Sequence, residues 1–200
     1  MTKSNEIPKE MQSRPVSKIV CLGDSITWGH PYGPDYSWVG LAAGELPFPL
    51  VNRGINGDTA ENLLRRFEDD VAAHDPSHVV IMIGTNDANL KLSLKSYQKD
   101  IKHLMDKTEA HGIIPILGLP VPSNDRWLEY RLEKYRFWLM HYIQERSHLM
   151  LDFRPAMLFR DGTVNLECYS DDTHPSKTGY SRMSLVFKEY CRNSLAIAGF

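Results

Sequence analysis

Five short apolar runs constrain this chain more than any other feature. Ile19-Val20-Cys21-Leu22, Val79-Val80-Ile81-Met82-Ile83 and Leu149-Met150-Leu151 contain no alternating polar residue. Ile113 to Leu119 is a further run with Pro115 inside it, and Leu50-Val51-Asn52 is a weaker one. A strand with one face in water alternates apolar and polar positions. Short unalternated runs bounded by Gly, Pro or polar residues therefore read as strands buried on both faces.

Between these runs the apolar residues recur at helical spacing. Ala60, Leu63, Leu64, Phe67 and Val71 share one face behind Asp58 or Thr59 as a cap, and Leu94, Tyr97, Ile101, Leu104, Met105 and Thr108 follow Ser93. Leu128, Leu132, Tyr135, Trp138, Leu139, Tyr142 and Ile143 mark a longer helix. A last helix starts near Ser176 and carries Met183, Phe187, Tyr190 and Leu195. Strands alternating with helices imply a parallel sheet covered on both faces. The expected fold is α/β: a three-layer α/β/α sandwich around a five-stranded, mainly parallel sheet of flavodoxin-like order. In such sheets the ligand crevice lies at the carboxyl ends of the strands, which is where chemistry should be sought.

Two hundred residues suit one domain, here 18–200, preceded by a polar N-terminal arm over 1–17. The net charge is −2 with both signs interspersed, and no basic stripe or aromatic–basic alternation suggests nucleic acid as a partner. The first eighteen residues contain no apolar segment of the kind a secretory signal needs, and no stretch is long and apolar enough to insert in a membrane. Cys21, Cys168 and Cys191 are odd in number and unrelated in spacing, which suits reduced thiols. With Met1 present, these features point to a cytoplasmic protein.

The strand ends carry unusual polar clusters. Gly23-Asp24-Ser25-Ile26-Thr27 follows the first run, and Asn52-Arg53-Gly54-Ile55-Asn56-Gly57-Asp58-Thr59 the second. Gly84-Thr85-Asn86-Asp87 follows the third, and Ser170-Asp171-Asp172-Thr173-His174-Pro175 stands just before the last helix. Taken singly, each has a plainer reading: Ser25 as the cap of a βα turn, Gly57 as a helix-leading turn, Asn86 as an Asx turn, His174 as an exposed loop histidine.

Taken together, the four segments resemble, in order and separation, the four motif blocks of the SGNH hydrolase superfamily, the GDSL-type lipases and esterases. Gly23-Asp24-Ser25-Ile26 is a variant of the GDSL block. The glycine block falls at Gly57, the asparagine block at Asn86, and the D-x-x-H pair at Asp171 and His174. The resemblance runs from about Lys18 to the end of the chain. It implies a flavodoxin-like sandwich, matching the fold read from periodicity, and a hydrolase of ester bonds.

The residue chemistry is consistent with that implication. A serine hydroxyl needs a positioned base, and Ser25 sits where a strand gives way to a turn, with Gly23 permitting the bend. Of eight histidines, only His174 has a carboxylate three positions before it and a proline after it. Positions i and i+3 of a turn approach closely, which favours Asp171 over Asp172 as the group that orients the imidazole. Asp172 is expected to be solvated or bonded to the following turn. The expected catalytic set is Ser25, Asp171 and His174. The backbone N–H groups of Ser25 and Gly57 and the amide of Asn86 are the expected oxyanion donors. Asp24, Thr27, Thr85 and Asp87 read as supporting residues, with Asp87 a candidate to brace the 23–27 loop.

Trp28, Tyr32, Tyr36 and Trp127 are expected to wall the substrate pocket, although Tyr36 and Trp38 equally suit a helix start packed in the core. No second ligand cluster supports a metal at Asp171, Asp172 and His174, and no cofactor is expected. The expected substrate is a small ester carrying a short acyl chain, an aryl group, a lysophospholipid or an acetylated sugar. Thioester hydrolysis and acyl transfer to an alcohol use the same groups. Two other classes weigh less: a non-catalytic binding module would have lost one of the blocks, and a flavin or nucleotide binder would carry a phosphate-cradling loop.

Overall fold

The structure is a computed structural model and describes residues 14–195. Five strands form one sheet: β1 (Ile19–Gly23), β2 (Leu50–Gly54), β3 (His78–Met82), β4 (Ile114–Gly118) and β5 (Leu149–Leu151). Their order is β2-β1-β3-β4-β5, and every neighbouring pair is parallel. Each apolar run of the sequence lies on a strand, and the expectation of a mainly parallel sheet becomes a wholly parallel one.

Nine α-helices cover the sheet among the described residues: α1 (Ser25–Trp28), α2 (Trp38–Ala42), α3 (Ala60–Arg65), α4 (Phe67–Asp70), α5 (Thr85–Asn89), α6 (Leu94–Ala110), α7 (Arg126–Arg146), α8 (Arg154–Met157) and α9 (Lys177–Ser194). The strand pleat divides the core in two. Val20, Leu22, Val79 and Ile81 face the layer made by α3, α4, α6 and α7, where Leu63, Phe67, Leu104 and Leu139 are buried. Ile19, Cys21, Val80 and Met82 face the other layer, with Trp38, Phe153, Phe187 and Met183. Trp38 is completely buried, its ring 5.1 Å from Phe153 and 5.0 Å from Phe187. All three cysteines are free and buried. No helix among the described residues is long and apolar enough to cross a membrane.

The caps are where the sequence places them. Ser93 caps α6 through the N–H of Ser96, Ser176 caps α9 through that of Gly179, and Thr59 makes a capping box with Asn62 at α3. The single helix expected from Ala60 to Val71 is instead two. The chain leaves helical geometry at Arg66 (φ −101°, ψ 9°), whose side chain turns back to the end of β1. Most of the expected N-terminal arm lies outside the described residues. Of its last part, Arg14 donates to Gly112 O and the Ser17 N–H to Ser77 Oγ.

Candidate active site

Register levels the strand ends that carry the polar clusters: Gly23 of β1 stands opposite Gly54 of β2 and Met82 of β3. Gly23 is there for space, since its φ is not positive. A Cβ on it would meet Thr27 Oγ1 at 2.2 Å and the backbone oxygen of Met82 at 2.7 Å. Asp24 closes the strand and caps α1 by accepting from the Ile26 N–H at 2.9 Å, which sets Ser25 as the first residue of that helix. Backbone N–H groups in a first helical turn have no partner within the helix, so the Ser25 N–H is geometrically suited to an incoming anion.

Ser25 Oγ lies 3.0 Å from His174 Nε2, across 149 residues of sequence. His174 Nδ1 lies 2.8 Å from Asp171 Oδ2, and the other oxygen of Asp171 accepts the backbone N–H groups of Thr173 (2.7 Å) and His174 (2.6 Å). The turn therefore holds the carboxylate and the ring in one unit, as the i, i+3 spacing predicts. Burial works to raise the Asp171 pKa. The two backbone N–H groups and the imidazole outweigh it, and the carboxyl is held below its usual range.

Asp172 is exposed, as expected, and its hydrogen bonds run not to the following turn but to the segment before α7. Its backbone oxygen accepts from the Asn124 N–H at 2.7 Å and from Ser123 Oγ at 2.8 Å, and its Oδ1 accepts from Asn124 Nδ2. It ties the histidine loop to the segment that leads into α7. Asp87 does not brace the 23–27 loop either; both its oxygens accept the Ala60 N–H at 3.2 Å, fixing α5 to the start of α3.

Asn86, in the first turn of α5, donates one amide hydrogen to Asp58 O at 2.9 Å, leaving its second N–H. Gly57 is exposed, its φ of +85° requires glycine, and nothing stands within 4 Å of where a Cβ would point. Arg66, which sequence reading passed over, joins these parts. It donates to Gly23 O (2.9 Å), to Asp58 Oδ2 (2.7 Å) and to Asp70 Oδ2 (2.6 Å). One guanidinium thus links the strand behind Ser25 to the loop carrying Gly57 and receiving Asn86. Asn52 braces the same region by donating to Thr27 O and Ser37 Oγ.

The four aromatic residues expected in the pocket are not equivalent. Trp28 and Tyr32 are half-buried beside Ser25 in sequence. Tyr36 is not core but 48% exposed, with the Lys177 ammonium 4.4 Å from its ring centre; in the same segment Trp38 takes the buried place. Trp127 is 67% exposed and lines an open cleft of about 450 Å³ with Ser123, Asn124 and Tyr130. His30, another residue sequence reading passed over, has its ring centre 4.4 Å from that of His174. Its position five residues after Ser25 does not announce that contact.

Two carboxyls under the site are forced towards neutrality. Burial, with the Asp87 and Asp58 charges adding and the Ile26 N–H opposing, pushes Asp24 up to about 7. Burial likewise lifts Asp87 to about 6 against the Ala60 N–H. Between roughly pH 4 and 7 the folded protein then holds the Asp24 proton while the unfolded chain has lost it, so this group's contribution to stability falls as pH rises. Buried His78 and His148, lowered to about 4, act in the opposite sense between about pH 4 and 6.5. Comparison with a variant isolates the aspartate. Asp24→Asn is expected to gain stability on wild type from pH 5 to pH 8, by roughly 2–3 kcal/mol, as measured by urea unfolding. A difference independent of pH would contradict this.

An all-parallel α/β/α sandwich with a serine–histidine–aspartate chain at its strand ends defines a hydrolase of the SGNH class. The chain belongs to the GDSL-like Lipase/Acylhydrolase family, whose model matches residues 21–182. A lipolytic protein of the G-D-S-L family from Desulfitobacterium hafniense superposes with a TM-score of 0.81 at 33% identity, over 86% of this chain and 98% of that one. Acetylxylan esterase of Geobacillus stearothermophilus is 26% identical over 201 residues, 85% of this chain and 91% of that enzyme. The uncharacterized lipoprotein YqeF of Bacillus subtilis is 30% identical over 124 residues, 56% of this chain and 51% of the lipoprotein, so the match spans about half of that relative's length.

Proposed function

We propose that this chain is a serine esterase that hydrolyses carboxylic esters of short acyl groups through an acyl-enzyme on Ser25. The observation that carries the reading is the continuous path from Ser25 Oγ to His174 Nε2 (3.0 Å) and from His174 Nδ1 to Asp171 (2.8 Å). Ser25 Oγ attacks the ester carbonyl as His174 Nε2 takes its proton. Asp171 keeps the Nδ1 hydrogen in place and stabilises the imidazolium. The negative charge that develops on the carbonyl oxygen is met by the N–H groups of Ser25 and Gly57 and by the second amide N–H of Asn86. The proton on Nε2 passes to the departing alcohol, and water activated by the same nitrogen releases the acid.

Trp28 and Tyr32 are assigned to the inner wall of the acyl pocket, with Tyr36 and Trp127 further out. The preference for small acyl groups is supported by the acetylxylan esterase relative, and the exposed aromatic faces of Tyr36 and Trp127 suit a sugar or aryl alcohol portion. A p-nitrophenyl series from acetate to palmitate tests the reading. The specificity constant kcat/KM is expected to be greatest for acetate and to decline with chain length. Faster turnover of palmitate would refute the acyl preference, and no turnover of any ester would refute the esterase.

A further inference from the structure

His30 sits against the imidazole at the centre of the site, and the hydrolytic scheme gives it no task. Its backbone is fixed on both sides: the N–H donates to Ser25 O at 3.0 Å, and the carbonyl accepts from the Tyr180 hydroxyl at 2.8 Å. Its half-buried ring lies 4.4 Å from the His174 ring at 52°. One nitrogen of His30, one nitrogen of His174 and one oxygen of Asp171 all lie within 4.8 Å of one another.

We propose that His30, His174 and Asp171 form an inhibitory site for a divalent transition-metal cation, zinc foremost. Two neutral imidazoles and a carboxylate are a donor set that zinc accepts, with a fourth position left for water. Zinc–nitrogen bonds of about 2.0–2.1 Å in a tetrahedral site place ligand atoms roughly 3.3 Å apart. The three donors reach that spacing by side-chain rotation, since the Asp171 side chain is 51% exposed and that of His174 is 23% exposed.

Where the cation sits decides what it does. Asp171 faces Nδ1 of His174, so an ion bridging the two takes the Nδ1 lone pair and displaces the hydrogen there. That proton moves through solvent to Nε2, with no net proton released. Nε2 then donates to Ser25 Oγ where it previously accepted, and it can no longer take the serine's proton. Ser25 keeps its place but loses its base.

Zinc binding by calorimetry and zinc inhibition of p-nitrophenyl acetate turnover test the site together. Wild type and Ser25→Ala are expected to bind one Zn²⁺ per chain at this site with the same affinity; binding is therefore read independently of the proposed esterase activity. His30→Ala is expected to retain turnover in metal-free buffer, to bind zinc at least tenfold more weakly, and to need at least tenfold more zinc for inhibition. His30→Gln, closer in volume, serves if the alanine variant is unstable. EDTA is expected to restore wild-type turnover, and Mg²⁺ to leave it unchanged. Equal zinc affinity and inhibition in wild type and the His30 variants would overturn the site. Zinc that binds through His30 yet leaves turnover untouched would overturn its inhibitory role.

Discussion

Replacing Ser25 with alanine is expected to lower kcat/KM for p-nitrophenyl acetate by at least about a thousandfold, with the fold intact. Among the described residues the side chain of Ser25 hydrogen-bonds to His174, and the helix it begins is capped by Asp24. The substitution therefore removes the nucleophile without removing a structural contact, and the unfolding free energy should move by less than about 1 kcal/mol. Residual catalysis on the order of a thousandfold over water should persist, because the anion-binding amides remain. Ester assays and urea unfolding on the same preparation separate the two effects. Turnover that survives the substitution would assign the chemistry to another residue.

Asn86→Ala is the second large expected effect. Loss of one preorganised donor at a developing oxyanion typically reduces kcat by about 10²–10³, or roughly 3–4 kcal/mol. Here the substitution also releases the Asp58 carbonyl and so loosens the loop that presents Gly57. The expected signature is a fall in kcat with KM changed only a few-fold, since the amide meets charge that exists only in the transition state. A rise in KM at constant kcat would instead make Asn86 a ground-state binding residue.

Much of this was legible in the chain because both the strands and the site blocks are local patterns. The apolar runs carry their own period, and Ser93, Thr59 and Ser176 announce their helices. Asp171 and His174 meet because three residues of turn bring them together. What was not legible depends on side chains that cross between elements. Arg66 looks like any polar position on a helix face, yet it ends α3 by reaching Gly23 O, 43 residues away. Asp172 meets Asn124 across 48 residues and Asp87 meets Ala60 across 27, so neither partner is encoded by spacing. His30 is the same case. Its five-residue offset from Ser25 says nothing about a ring contact with His174, which depends on the Tyr180 hydroxyl and the Ser25 carbonyl holding its backbone. Tyr36 and Trp38 lie two residues apart with similar composition around them, and only the packed layer shows that Trp38 takes the core.

The central claim is that an imidazole 149 residues away makes the Ser25 oxygen nucleophilic. Treatment with a fluorophosphonate, followed by digestion and mass spectrometry, measures this directly. A single phosphonyl adduct on the peptide containing Ser25 in wild type, absent from Ser25→Ala and formed far more slowly in His174→Ala, is the predicted result. A well-folded wild-type protein that stays unlabelled, or one labelled on a serine elsewhere, would contradict it.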